Sequence, residues 1–258
     1  MRIVIKVGTS TLAHSTGLMN VRRVELLCSV LSDLKNAGHE VVLVSSGAIG
    51  MGVGKLSLGG RPSDIPTKQA AAAVGQCELM YTYDKLFSEY HHTVAQLLIT
   101  NDNMVHETRH QNFTNTLNRL LELGALPIIN ENDTVATREI VIGDNDTLGA
   151  VVATAIHADL LVILSDIDGL YTADPHTHAD AQLLPTVEEI TAEIEAMTGG
   201  AGSALGTGGM ATKLHAAHIA TEGGVEMVIA NGRDPAILYD IVEGKPVGTH
   251  FKAKEAAR

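Results

Sequence analysis

Aromatic residues are scarce in this chain, 3% of 258 residues with no tryptophan, so its core has to be assembled from Leu, Val, Ile and Ala. The same scarcity counts against single-strand nucleic-acid binding, which depends on aromatic stacking platforms. Cations are few: 18 Lys and Arg against 30 Asp and Glu give a formal charge of −12. That balance disfavours a nucleic-acid or anionic-membrane surface. Cysteine occurs only as Cys28 and Cys77, both in helix-like stretches, where buried free thiols fit better than a disulfide. So few cysteines in a chain this long point to a reducing compartment. No run approaches the roughly 20 apolar residues that span a bilayer. The N-terminal MRIVIKVGTS is a short apolar strand without a signal peptide's core and cleavage site. These absences predict a soluble, cytoplasmic protein with no nucleic-acid and no membrane partner.

What is present is 45% apolar sequence in which short apolar runs alternate with longer helical patterns. Arg2 to Val7 reads as a buried strand, Val41 to Ser45, Thr93 to Thr100, Leu126 to Asn130, Leu160 to Leu164 and Glu226 to Ala230 as further strands. Between them lie helical patterns: one capped by Asn20 and stopped at Gly38, one over about 68–90, one over 106–123 and one capped by Asp144 and running to His157. Ala136 to Ile142 reads as one arm of a hairpin. Thr186 with Glu189 forms a capping box for a helix to about Met197, and a short helix spans 237–242. Such alternation predicts an α/β fold, a three-layer αβα sandwich on a mostly parallel sheet. A soft functional boundary falls near residue 150, within one continuous sheet.

Several familiar motifs are missing. No G-x-x-x-x-G-K-[ST] loop occurs: Gly50-x-Gly52-x-Gly54-Lys55 is followed by Leu56 where a hydroxyl is needed, and reads as a flexible glycine loop after a short helix. The protein-kinase set is absent as well. His106-Glu107-Thr108-Arg109-His110 spells a zinc-protease motif, with Glu131 as a conceivable third ligand. Glu131 follows a strand instead of sitting on a second helix, so a solvated helix face is the preferred reading. His176, His178, His215 and His218 are read as solvent-facing.

The polar residues that stand out fall at predicted strand ends, where open α/β sheets hold their ligands. Lys6 ends a buried strand before Gly8-Thr9-Ser10; it is either a site residue or an edge lysine reaching solvent. Ser46-Gly47-Ala48 leads a strand into a helical segment whose N–H groups can face an anion. Residues 129–137 (INENDTVAT) and 143–146 (GDND) carry more carboxylates and amides than turns require. Ser165-Asp166 follows a fifth strand. Six of the eleven residues from 199 to 209 are glycine, and this loop enters a helix with Lys213 in its first turn, a position the helix dipole disfavours unless an anion is bound.

In this order, KVGTS, SSGAI, TKQAAAAVGQ, INENDTVAT, GDND, DGLYTADP and GTGGMATK resemble the amino-acid kinase family over essentially the whole chain, and within it the glutamate 5-kinases. The resemblance implies ATP-dependent phosphorylation of the glutamate side-chain carboxylate, the first step of proline biosynthesis, with ATP and Mg²⁺ required. It implies that Lys6 and Lys213 contact the transferring phosphoryl group and that Asp146 holds both lysines. Ser46, Asp133 and Asn145 would bind glutamate. Lys6, Gly8, Ser165, Asp166, Thr207, Gly208, Gly209, Met210, Ala211, Thr212 and Lys213 would bind ATP. No side chain is assigned to metal, since Mg²⁺ bridges the phosphates. A homo-oligomer, dimer or tetramer, is expected, with channelling to glutamyl-phosphate reductase. Two departures are visible: the chain ends at Arg258 without room for the C-terminal domain many members carry, and Ser165 stands where the family often has Thr. A sensor that binds without turnover is the rival reading; retention of both lysines and Asp146 favours the enzyme.

Overall fold

A computed structural model describes residues 1–14, 18–100, 104–135, 144–175, 177–197 and 209–254. Eight strands among them form one sheet: β1 (Arg2–Val7), β2 (Glu40–Ser45), β3 (Val94–Ile99), β4 (Leu126–Glu131), β5 (Leu160–Ser165), β6 (Thr186–Val187), β7 (Glu226–Asn231) and β8 (Thr249–Phe251). Their spatial order is β3-β4-β2-β1-β5-β7-β8-β6. The six strands from β3 to β7 run parallel, and only the β7–β8 pairing is antiparallel. Central parallel strands are covered on both faces, so β1, β2, β4 and β5 are near-continuous apolar runs rather than alternating ones.

The helices are α1 (Thr9–Leu12), α2 (Val21–Asn36), α3 (Ala48–Lys55), α4 (Ile65–Ser88), α5 (Glu107–Glu122), α6 (Asn145–Ala155), α7 (Ala192–Met197), α8 (Met210–Glu222) and α9 (Ile237–Val242). Two apolar clusters sandwich the sheet. One joins Val4, Val42 and Ile163 to α5, α6 and α8; the other joins Ile3, Ile5 and Leu43 to α2, α4 and α9. This is the three-layer arrangement expected from the strand–helix alternation. Asn20 and Asp144 cap α2 and α6 as read, accepting from the N–H groups of Arg23 and Thr147.

Three local expectations are corrected. Thr186 does not cap a helix: it lies in β6, paired with His250, and α7 starts only at Ala192, with Thr191 Oγ1 accepting from the Ile194 N–H at 3.4 Å. The glycines from 50 to 54 form no loop but lie within α3. They allow α3 and α4 to cross at backbone contact, since a Cβ on Gly52 would fall 1.8 Å from the Ala71 carbonyl oxygen and one on Gly75 1.8 Å from that of Ala48. Cys28 is the buried free thiol expected, whereas Cys77 is free but exposed, on the outer side of α4. The expected hairpin arm at 136–142 lies outside the described residues.

Candidate active site

Strand β1 is where the chain's path across the sheet splits, with β2 on one side and β5 on the other. Such a switch point opens a crevice at the strand C-termini. Lys6 is level with Val44 of β2 and Ile163 of β5, so the segments after those strands, Ser46 and Ser165–Asp166, flank its end. A cleft of about 880 Å³ lies there. Lys6, Ser46, Asp133, Asn145, Asp166 and Lys213 all line it.

At its floor is a buried triad. Lys6 Nζ stands 2.5 Å from Asp146 Oδ1 and Lys213 Nζ 3.1 Å from Asp146 Oδ2. Lys6 is 7% exposed, Lys213 5% and Asp146 0%, so Lys6 is not the solvent-reaching edge residue that the sequence left open. Burial alone would raise the Asp146 carboxyl; attraction and hydrogen bonds from the two ammonium groups outweigh it and hold the group below the ordinary aspartate value. Thr212 Oγ1 lies 3.1 Å from Asp146 Oδ2, although Gly209 O at 2.7 Å competes for its single proton. Gly149 of α6 lies over the Lys6 stem, where a Cβ would stand 3.5 Å from Lys6 Cβ. A side chain at Gly8 would come within 3.5 Å of Lys6 Nζ.

The β2–β4 side of the cleft carries amides and a hydroxyl together with the carboxylates Glu131, Asp133 and Asp144. Gly47, in the left-handed region at φ +103°, turns the chain from β2 into α3. Asn145 Nδ2 lies 2.7 Å from Ser46 Oγ, 3.0 Å from Asn130 Oδ1 and 3.3 Å from Ser45 O. Asp133, in the turn after β4, has its carboxyl pushed up by burial against the opposing pull of the Arg61 guanidinium. On the β5 side, Ser165 Oγ donates to Asp166 Oδ1 at 3.2 Å, and the uncapped first turn of α8 begins at Gly209.

Of the residues singled out in the sequence, Lys6, Gly8, Ser46, Asp133, Asn145, Ser165, Asp166 and Lys213 meet in this one cleft. Asp146 lies beneath it on the lysines, and Gly209, Met210, Ala211 and Thr212 form the approach to Lys213. Thr207 and Gly208 lie outside the described residues. Asn130 and Arg61 were not singled out; Asn130 sits inside the NEND run and was hidden by turn-forming neighbours, while nothing in the local sequence distinguishes Arg61. His106 immediately precedes α5, exposed, while Glu131 is buried at the end of β4. Among the described residues no group of three His, Cys, Asp or Glu is placed to hold a metal ion.

The sequence model of the amino acid kinase family matches residues 1–231. The chain belongs to the amino acid kinase family. Within this family it is 55% identical over 258 residues to the glutamate 5-kinase of Clostridium perfringens, covering 98% of this chain and 96% of that protein. The glutamate 5-kinase of Listeria innocua is 52% identical over 258 residues, with 98% and 94% covered. The carbamate kinase of Giardia lamblia, solved with AMP-PNP, has the same fold at a TM-score of 0.72 and 17% identity, covering 98% of each chain. The UMP kinase of Bacillus anthracis follows at 0.67 and 17%, covering 99% of this chain and 96% of that one.

Proposed function

We propose that the chain is a glutamate 5-kinase, transferring the γ-phosphoryl group of ATP to the side-chain carboxylate of L-glutamate. The observation that carries the mechanism is the Lys6–Asp146–Lys213 triad at the cleft floor. A carboxylate is already an anionic nucleophile at neutral pH, so no general base is needed and none is assigned. The barrier lies in bringing two anions together and in stabilising charge that spreads over the phosphoryl oxygens. Two ammonium groups fixed on one buried carboxylate meet that need without reorganising during the reaction. They also offer a chain of charge −12 a place to receive two anionic substrates, since two of its cations converge at the cleft floor.

In this reading residues 1–150 form the acceptor-binding half and 151–258 the nucleotide-binding half of one domain. Ser46, Asp133 and Asn145 take glutamate, with Asp133 facing the ammonium group. Gly8, Ser165, Asp166 and the segment 207–213 take ATP, whose phosphates bring Mg²⁺ with them; the ion would neutralise phosphate charge. Asp166 lines the nucleotide side of the cleft and is the acidic side chain that would be available to such an ion, which would be held mainly by ATP.

The test is ATP-dependent trapping by hydroxylamine. Hydroxamate should form with glutamate and not with acetylglutamate, aspartate or carbamate, together with ADP. Failure to form it with glutamate ends the proposal. A cytoplasmic setting is part of this reading and suits both the need for ATP and two free thiols; no helix among the described residues is long and apolar enough to cross a membrane. The product is an acyl phosphate, labile in water, which favours direct transfer to glutamyl-phosphate reductase. Ala70, Ala73, Cys77 and Tyr81 leave an exposed, weakly polar stripe on α4, suited to a second copy of the chain. Sedimentation velocity, alone and mixed with that reductase, reads both associations; a monomer boundary that the reductase does not shift would end them.

A further inference from the structure

Gln76, on α4, is not among the residues lining the cleft, yet it terminates a directed chain of amides that ends at Ser46. The direction is fixed by one group that can only donate: the backbone N–H of Glu131 lies 2.9 Å from Asn130 Oδ1. That atom is therefore the carbonyl oxygen, and the Asn130 amide nitrogen points the other way, 2.9 Å from Gln76 Oε1. Asn130 Oδ1 also receives Asn145 Nδ2 at 3.0 Å, which identifies the Asn145 nitrogen in turn. Asn145 Nδ2 reaches on to Ser46 Oγ at 2.7 Å. With its nitrogen committed to protein oxygens, Asn145 has its carbonyl oxygen left to accept. With Oγ accepting, Ser46 has its own proton left to donate.

We infer that Gln76 is a positioning residue that sets the polarity of the acceptor site through Asn130, so that Asn145 offers an acceptor to an ammonium group and Ser46 a proton to a carboxylate. The inference rests on the glutamate reading and deepens it. Gln76 is 7% exposed and its Nε2 has no hydrogen-bond partner. A buried donor without a partner is unfavourable, and an apolar side chain at this place in the α4 core face would remove it. What an apolar residue fails to supply is the oxygen that orients Asn130. Without it, the Asn130 nitrogen is buried with no acceptor, and turning towards another pulls Asn130 Oδ1 off the Glu131 N–H and off Asn145, which weakens the preference that holds Asn145 in one of its two orientations.

Gln76→Met tests this, since it keeps the volume and removes the amide. The expected result is a KM for glutamate raised roughly tenfold or more, as for a modest misplacement of binding groups. The KM for ATP should stay within about twofold and the Tm should change little, because one buried donor without a partner is exchanged for another. In a Ser46→Ala background the same substitution should have a smaller effect on glutamate KM, because one of the two groups it positions is gone. Gln76→Asn, an amide too short to reach Asn130, should reproduce the shift and serves if the Met variant does not fold. Proportional losses for both substrates with a lowered Tm, an undiminished effect in the Ser46→Ala background, or an unchanged glutamate KM would each overturn the assignment. The last leaves the glutamate reading intact if wild-type protein still forms hydroxamate; absence of hydroxamate from wild type removes that reading instead.

Discussion

Replacing Lys213 by alanine should lower kcat by about a thousandfold, at the upper end of what loss of one preorganised charge donor costs a transition state. The binding of glutamate alone should change by no more than about twofold, because Ser46, Asp133 and Asn145 come from the segments after β2 and β4 and from the start of α6, whereas Lys213 belongs to α8. Lys213 is the fourth residue of α8, next to the helix N-terminus, where a cation opposes the macrodipole. Its position is held by Asp146 and by the buried packing of its stem. Arginine should not restore activity: its planar fork needs more width than a 5%-exposed ammonium occupies. Single-turnover phosphoryl transfer, with equilibrium dialysis for glutamate, separates the two quantities. A variant with unchanged turnover would refute the role and favour a binding protein without catalysis. A variant that loses glutamate affinity in the same proportion as turnover would place Lys213 in the acceptor site.

The legibility of this chain in its sequence was uneven, for physical reasons. Strands β1, β2, β5 and β7 announce themselves because a parallel strand covered on both faces must be apolar along most of its length, and such runs are short and bounded by turn residues. Strand β8 was missed: with three residues at the antiparallel end of the sheet it carries no period long enough to read. The capping-box pattern at Thr186 misled because it records only local hydrogen-bond options, whereas pairing with His250 across 64 positions decides the outcome. At Gly50–Gly54 glycine was read as freedom of the loop; here it answers the demand of α4 for close approach, which no property of the segment itself reveals. The site followed the same division. Lys6, Ser46 and Ser165 were conspicuous as polar residues after apolar strands. The convergence of Lys6 and Lys213 on Asp146 came from resemblance rather than from pattern, because the partners are 67 and 140 positions apart in sequence. Gln76 was invisible: in an Ala-rich helix it reads as an ordinary helix former, and its significance lies wholly in the orientation of Asn130.

Asp146→Ala should be the most damaging single change to both stability and activity. It leaves two ammonium groups beside each other in a buried site, with the carboxylate that both of them touch removed. Breaking a buried ion pair by deleting one partner costs about 3–5 kcal/mol. For a chain of this size each kcal/mol lowers the Tm by about 2–4 °C, so a fall of roughly 6–20 °C is expected by calorimetry. The pH dependence follows from the depressed Asp146 carboxyl. Its folded pKa lies below the unfolded value, so its contribution to stability is fully present above about pH 4 and is lost as pH falls through the folded pKa. Wild-type Tm should therefore drop towards that of the variant as the buffer is acidified below pH 4, while the difference between them stays constant from pH 5 to 8. Because the variant's deficit is uncompensated positive charge, added ATP should raise its Tm more than it raises that of the wild type, even though turnover is lost. Equal stability of the two proteins at neutral pH would show that the lysines find other partners when Asp146 is absent, and the buried triad would then not be the element that holds the cleft floor together.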